Sequence, residues 1–288
     1  MNAIVYYLVL PIIYLFSLLP FKVIYWISNC FYVLFFHVIG YRKEVVFKNL
    51  RNSFPEKTDQ EIVKIAKDFY KYFCDLILET IKTLTISPGT LKKHVIFKET
   101  SIFKKLFDQN QSAIIVMGHF GNWELAGAAF SQLPFHKLHV IYHPLSNKYF
   151  DKLFYYMRTR LGNKLYAMND VLRGMIKDRD KSTLTAFIAD QTPSPNNAYW
   201  TVFLNQETPV FTGTEKIAKK LNYPIIYVTM KRPKRGYYEI ESELLVSDSV
   251  NTLENEISEL HTRKLEKDII AQPEIWLWTH RRWKHKKN

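Results

Sequence analysis

Cysteine is nearly absent. Cys30 and Cys74 are the two in 288 residues, which excludes a disulfide framework and leaves no metal-ligand spacing. Cys30 lies in an apolar stretch and reads as a small hydrophobe, and the main domain is expected in a reducing, cytoplasmic setting. Acid is in deficit: 27 Asp and Glu face 40 Lys and Arg, a formal charge of +13. That balance points to an anionic partner such as nucleic acid, acidic lipid or a phosphorylated group. Internal repeats are lacking, and the one biased segment is the basic tail at 281–287. Several catalytic signatures are missing too. There is no Gly-x-Ser-x-Gly nucleophile elbow, no Walker phosphate loop, no His-Glu-x-x-His and no Gly-x-Gly-x-x-Gly after a strand.

Charge is missing altogether from residues 3–21, AIVYYLVLPIIYLFSLLPF, and beyond the single Lys22 a second apolar run covers 23–36. About 20 apolar residues cross a bilayer core, so 3–21 is expected to span a membrane, narrowly. No basic segment precedes the run and no small-residue cleavage site follows, which argues against a secretory signal peptide. Basic residues come only afterwards, at Lys22, Arg42, Lys43, Lys48 and Arg51, placing the C-terminal side in the cytoplasm. The Tyr, Trp and Phe of the second run suit the headgroup zone, or a second, re-entering span. Residues 1–40 are accordingly read as a membrane anchor and 41–288 as the catalytic domain.

The remainder is long enough for one full core. Apolar residues at helical spacing over 57–83, from Ile62 to Ile81, predict a scaffold helix with a break, and Pro88-Gly89 a turn. Short apolar runs at 113–117, 138–142, 184–189 and 224–229 read as strands. Helices are predicted at 101–108, 123–131, 147–161, 170–179, 212–221 and 252–270, the last as core packing. Unbroken apolar strands separated by amphipathic helices predict an α/β fold, a mostly parallel central sheet covered by helices. The 236–245 run alternates and is expected as an exposed edge strand. The basic run 231–235 is expected as a charged loop between strands, available to an acidic protein.

The chemistry concentrates at Ile114-Ile-Val-Met-Gly118-His119-Phe-Gly121-Asn122-Trp-Glu124. An apolar strand delivers His119 to the C-terminal edge of the sheet, where open α/β folds bind ligands. Asn122 is a good N-cap, so Glu124 falls in the first turn of the next helix, where the dipole favours a carboxylate. Gly118 and Gly121 permit a reversal that brings the acid toward the imidazole. A carboxylate that fixes the tautomer leaves the other ring nitrogen free to take a proton from a hydroxyl. Asp190 also follows an apolar strand, 184–189, and is a second candidate for the orienting acid. With a base and no protein nucleophile nearby, direct transfer to a substrate hydroxyl is expected, without a covalent enzyme intermediate. Aromatics lie mostly in apolar runs and no nucleic-acid motif is present, so nucleic acid is not the expected partner.

The His-x4-acid motif in this setting resembles the lysophospholipid acyltransferase superfamily, and more closely the lipid A late (lauroyl/myristoyl) acyltransferases. Further blocks carry the resemblance: Tyr142-His143-Pro144-Leu-Ser-Asn147, Arg160-Leu-Gly-Asn-Lys164, Asp170-Val-Leu-Arg-Gly-Met-Ile176, Ala189-Asp190-Gln191, and the closing Pro273-Glu-Ile-Trp-Leu-Trp278-Thr-His280-Arg281-Arg282-Trp283-Lys284. Two departures stand out: His143 replaces the family's arginine before proline, and Phe203-Leu204-Asn205 replaces its Phe-Phe-Gly. The resemblance covers essentially the whole chain. It implies a glycerophosphate-acyltransferase-like fold with an N-terminal membrane helix, at the cytoplasmic face of the bacterial inner membrane. The implied activity is transfer of an acyl chain from an acyl carrier protein thioester to a hydroxyl on an anionic glycolipid, the 3-OH of an acyl chain already attached. His119 would be the base, Glu124 or Asp190 its orienting acid, and Arg160 the group that steadies negative charge. Asn122, Tyr142, Arg158, His280, Arg281 and Arg282 are the expected substrate contacts. No metal or bound organic cofactor is implied, the carrier-bound fatty acid being a co-substrate. Trp276, Trp278 and Trp283 are expected at a membrane interface, with the closing cations on anionic lipid.

Overall fold

The computed structural model describes residues 3–287. Two apolar helices come first, α1 (Ala3–Leu18) and α2 (Phe21–Tyr32), the second running on as a π-helical stretch over Val33–Val38. The break falls at Leu19-Pro20, because Pro20 lacks the N–H that would continue the ladder. The first apolar run is therefore a helix of 16 residues, about 24 Å long at ~1.5 Å per residue and short of a bilayer core. Among the described residues, the helix long and apolar enough to cross is instead Phe21–Val38. Neither helix stands alone. Helices α3 (Lys43–Ser53) and α4 (Asp59–Lys82) follow, and α4 carries α1 and α2 on its C-terminal half. Lys82 Nζ donates to the carbonyls of Ser17 and Leu19, Ser28 Oγ to Asp75, and Tyr25 OH to Glu79. Helix α4 runs unbroken through 24 residues, where the sequence pattern predicts a break. It opens on a reciprocal Thr58–Glu61 capping box, which satisfies two otherwise orphaned donors.

From α5 (Pro88–His94) onward the chain builds the sheet: β1 (Val95–Phe97), α6 (Ser101–Asp108), β2 (Ala113–Met117), α7 (Trp123–Phe130), β3 (Lys137–Tyr142), α8 (Lys148–Thr159) and β4 (Lys164–Ala167). Then come α9 (Val171–Lys177), β5 (Thr183–Ile188), a hairpin of β6 (Tyr199–Phe203) and β7 (Gln206–Val210), α10 (Gly213–Leu221), β8 (Ile225–Lys234), β9 (Tyr237–Val246) and α11 (Glu256–Ala271). Seven strands form one sheet in the order β1-β9-β8-β2-β5-β3-β4, parallel throughout except for the β8–β9 pair. The α/β architecture read from the sequence is therefore present. Some details differ. Pro88 opens α5 at its first turn, where its missing N–H costs nothing. The 236–245 run lies between β8 and β1 and is not an edge.

Every residue of β2 is buried, as expected for a central strand covered on both faces. Its side chains alternate between two cores. Ile115 and Met117 pack with Leu125, Phe130 and Val228 on the α7 side. Ile114 and Val116 pack on the other face, in the core that holds Tyr72 of α4, Leu265 of α11 and Trp276.

Candidate active site

Strand pairing explains why His119 meets Asp190. Met117 of β2 lies opposite Ile188 of β5 in parallel register, so two residues further along each chain His119 and Asp190 stand side by side at the sheet's C-terminal edge. Asp190 Oδ1 lies 2.6 Å from His119 Nδ1, and Oδ2 accepts from His119 N at 2.8 Å. Trp276 Nε1 also donates to Oδ2, at 2.8 Å. Burial alone would raise this carboxyl, but His119 and the three donors outweigh it and hold it down to about 2. An ionised acceptor at Nδ1 fixes the proton there and leaves Nε2 with a free lone pair, the state of a general base. Gln191 Nε2 sits 3.3 Å from that lone pair, and the His119 ring stands edge-on to Trp123 with centroids 4.7 Å apart.

The turn around His119 is closely packed at both glycines, and at Gly121 the backbone leaves no room for a side chain. A Cβ on Gly118 would meet Leu265 at 2.6 Å, and Gly121 has φ +65 with the Met230 carbonyl occupying the space its Cβ would need. The turn is pinned from both sides. Tyr72 OH donates to Gly121 O, Gly121 N donates to Ile275 O, and Asn122 Nδ2 donates to the buried Glu79. Asn122 also caps α7 by accepting from Leu125 N at 3.0 Å.

Glu124 falls in the first turn of α7, but its carboxylate turns away from His119. It takes both ends of the Arg158 guanidinium, at 2.5 and 3.0 Å, a bidentate and mostly buried pair between α7 and α8. Of the two acids that the sequence leaves eligible to orient His119, Asp190 takes that place and the Glu124 candidacy is corrected. The neighbouring strand already supplies a carboxylate at the imidazole, whereas the helix carries Glu124 across to α8.

His119, Trp123, Glu124, Arg158 and Gln191 all line one cavity of about 560 Å³, whose wall is otherwise largely apolar. That volume lies within the range of small-molecule sites. A half-buried base on the wall of a largely apolar cavity, with no Ser or Cys among the described lining residues, suits activation of a hydroxyl for attack on an acyl carbonyl. A sequence profile described as bacterial lipid A biosynthesis acyltransferase matches residues 1–285. The chain belongs to this family. It is an acyltransferase. Over 281 residues it is 23% identical to the lipid A biosynthesis palmitoleoyltransferase of Escherichia coli (strain K12), covering 96% of this chain and 89% of that protein. It is 24% identical over 270 residues to the lipid A biosynthesis lauroyltransferase of the same strain, covering 92% and 87%.

Within this lipid A acyltransferase family member, the remaining sequence-predicted residues divide by what they touch. Tyr142 and Arg158 line the cavity. Arg160 does not. Its guanidinium donates to the carbonyls of Thr83 and Ile86, a clamp on the segment after α4, so it braces the fold and not a developing charge. Asn122 is fully buried and acts through the turn. His280 lies by Thr192, 3.3 Å from its hydroxyl, and burial pulls it down to about 4 despite the Asp190 charge. Arg281 is exposed. Arg282 is buried, donates to Pro209 O at 2.7 Å, and is drawn down by burial to about 10 with Asp190 opposing.

The closing block is also corrected. Trp276 and Trp278 are core side chains, and Trp283 is half-buried against Phe203. Aromatics next to cations read alike in sequence whether they face lipid or fold inward. The 231–235 run ends β8 and begins its turn, and Arg232 and Arg235 both close on the buried Asp75. Sequence reasoning missed Trp276 as a partner of Asp190, Gln191 at the imidazole, and Glu79 beneath the turn. Gln191 was within reach as the neighbour of Asp190; the other two depend on long-range packing.

Proposed function

We propose that this acyltransferase moves a fatty acyl chain from an acyl carrier protein thioester to a hydroxyl of a lipid A precursor, at the cytoplasmic face of a bacterial inner membrane. The His119–Asp190 pair, with the imidazole on the wall of a largely apolar cavity, carries this reading. His119 Nε2 takes the hydroxyl proton as the oxygen adds to the thioester carbonyl. The tetrahedral adduct then collapses with cleavage of the C–S bond, and the proton passes from Nε2 to the departing sulfur. An ester and a free carrier thiol result, and the imidazole returns neutral. Gln191, released from Nε2 by the incoming hydroxyl, becomes a donor beside the developing oxyanion. Arg158, seated by Glu124 on the cavity wall, supplies a cation for that charge or for a lipid phosphate.

Attachment to the membrane through residues 1–40 is supported by the outward side chains of α1, α2 and the π-helical stretch that continues α2, among them Leu8, Leu15, Trp26 and Val38, all well exposed. The +13 charge favours both an acidic carrier protein and a phosphorylated acceptor. The only co-substrate that this chemistry needs is the acyl thioester. Membranes containing the protein, supplied with labelled acyl carrier protein and a lipid A precursor, should yield a product one acyl chain heavier. Acylation only of other lipids, such as an amino-acid lipid or a glycerophospholipid, would assign a different acceptor.

A further inference from the structure

Two carboxylates lie buried on the C-terminal half of α4, Asp75 and Glu79, four residues apart and so on one helix face. A carboxylate is costly inside a protein unless donors meet its oxygens. Both are met, by different groups. The Arg232 and Arg235 guanidiniums close on Asp75, and Ser28 Oγ of α2 donates to its Oδ1 at 2.6 Å. Glu79 is met by neutral donors. Tyr25 OH of α2 donates to Oε1 at 2.8 Å, and Tyr238 OH of β9 and Asn122 Nδ2 donate to Oε2 at 2.6 and 2.8 Å.

Glu79 decides which way Asn122 faces. An amide side chain has a donor end and an acceptor end, whereas an ionised carboxylate only accepts. Asn122 must therefore turn Nδ2 toward Glu79, which leaves Oδ1 to accept from Leu125 N at 3.0 Å and start α7. Tyr72, two turns before Glu79 on α4, donates to Gly121 O at 2.6 Å. Helix α4 thus grips two consecutive residues of the turn that carries His119. Asp190 arrives separately, from β5. The alignment of imidazole and carboxylate depends on where α4 sets that turn. Of the three side chains that fix Glu79, one belongs to the apolar N-terminal segment.

Resting on the reading of His119 as the base, we propose that Glu79 is a positioning residue for the His119 turn, and that Tyr25 of α2, by holding Glu79 Oε1, makes the apolar N-terminal segment part of the site. The segment then does more than tether the enzyme. With α2 seated on α4, Glu79 keeps one orientation and Asn122 one partner. With the Tyr25 hydroxyl withdrawn, Oε1 is left buried without a donor, the carboxylate turns to find one, and the turn loosens against Asp190.

Two hydroxyls of α2 make the claim testable. Tyr25 and Ser28 lie three residues apart on one helix face, and each serves one carboxylate of α4. Among the described residues Asp75 makes no hydrogen bond to the turn, so Ser28→Ala is the control for Tyr25→Phe in the full-length protein. Both should lower the unfolding midpoint. Compared where both are folded, Tyr25→Phe should lower kcat about tenfold with KM for both substrates unchanged, whereas Ser28→Ala should keep kcat within about twofold. Glu79→Gln can still accept from Asn122 and donate to the Tyr25 oxygen, so it should keep most of the kcat that Glu79→Leu loses. Hydrogen exchange read by mass spectrometry reports on the turn without turnover. The amides of 118–125 should exchange about tenfold faster in Tyr25→Phe than in wild type or Ser28→Ala, with 225–230 of β8 unchanged. Equal exchange of 118–125 in the two α2 variants, equal kcat in them, or a Glu79→Gln no better than Glu79→Leu would overturn the proposal. Wild type and His119→Ala are assayed alongside on a lipid A precursor. If the two transfer acyl chain alike, the reading of His119 fails, and the exchange comparison still decides whether α2 holds the turn.

Discussion

Replacing Asp190 by Asn keeps the size of the side chain and removes its charge. The magnitude follows from the hydrogen bonds at the site. Asp190 is held from the ordinary 3.8 down to about 2 by His119 and its hydrogen-bond donors, so the ionised carboxylate is the form the site is built around. The substituted amide can still accept from His119 N and Trp276 Nε1 through its single oxygen. Its nitrogen then faces His119 Nδ1, a donor against the position that carries the proton. The imidazole is driven to the other tautomer, with the proton on Nε2 and no lone pair for the hydroxyl. Positioned general-base catalysis is worth roughly 10²–10⁴ in rate, so kcat should fall by about that factor, ~2.7–5.4 kcal/mol in barrier, with KM for both substrates little changed. The assay is steady-state transfer of labelled acyl chain from carrier protein to the lipid acceptor in detergent. Glu124→Gln is the comparison: it loosens Arg158 on the cavity wall, so KM should rise and kcat should fall less than for Asp190→Asn. The reasoning is refuted if Asp190→Asn keeps more than about a tenth of the wild-type kcat, or if Glu124→Gln loses more kcat than it does.

Arg160→Ala should act on stability and not on chemistry: it removes a guanidinium bound to the Thr83 and Ile86 carbonyls, costing about 1.5–3 kcal/mol in denaturant unfolding. At a temperature where the variant is folded, its kcat should stay within a few-fold of wild type. Gly121→Ala places a methyl group against the Met230 carbonyl at φ +65, so loss of activity is expected along with a lowered unfolding midpoint. The depressed Asp190 carboxyl also predicts a pH signature. Its contribution to stability is fully present above about 4 and is lost as pH falls toward about 2. The stability gap between wild type and Asp190→Asn should accordingly shrink over that window in acid unfolding curves.

Local pattern carried much of the fold. The all-apolar 113–117 run, the Asn122 cap and the helix after it were legible because a buried central strand and an N-cap each have a short-range signature. Strand register was not. Glu124 and Asp190 are equally eligible acids until Met117 is set opposite Ile188, and the pairing brings together His119 and Asp190 from 71 residues apart. Strands β1 and β4, three and four residues long, and the β6–β7 hairpin of mixed polarity were too short or too mixed to stand out. Apolar composition was ambiguous in two places. Trp276 and Trp278 read as membrane-interface aromatics but fill the core under the His119 turn. Residues 3–21 read as one span, whereas Pro20 divides the apolar segment and the longer helix comes second. Arg160 looked like a free cation because backbone carbonyls, its actual partners, leave no mark in a sequence.

The most direct test of His119 as the base is the lipid product itself. Membranes bearing wild type or His119→Ala, matched for folded protein, are given the same labelled acyl carrier protein and lipid A precursor, and the lipids are weighed by mass spectrometry. Wild type should produce a species heavier by one acyl chain, and His119→Ala should produce it at least about a hundredfold more slowly. An undiminished acylated product from His119→Ala would contradict the assignment.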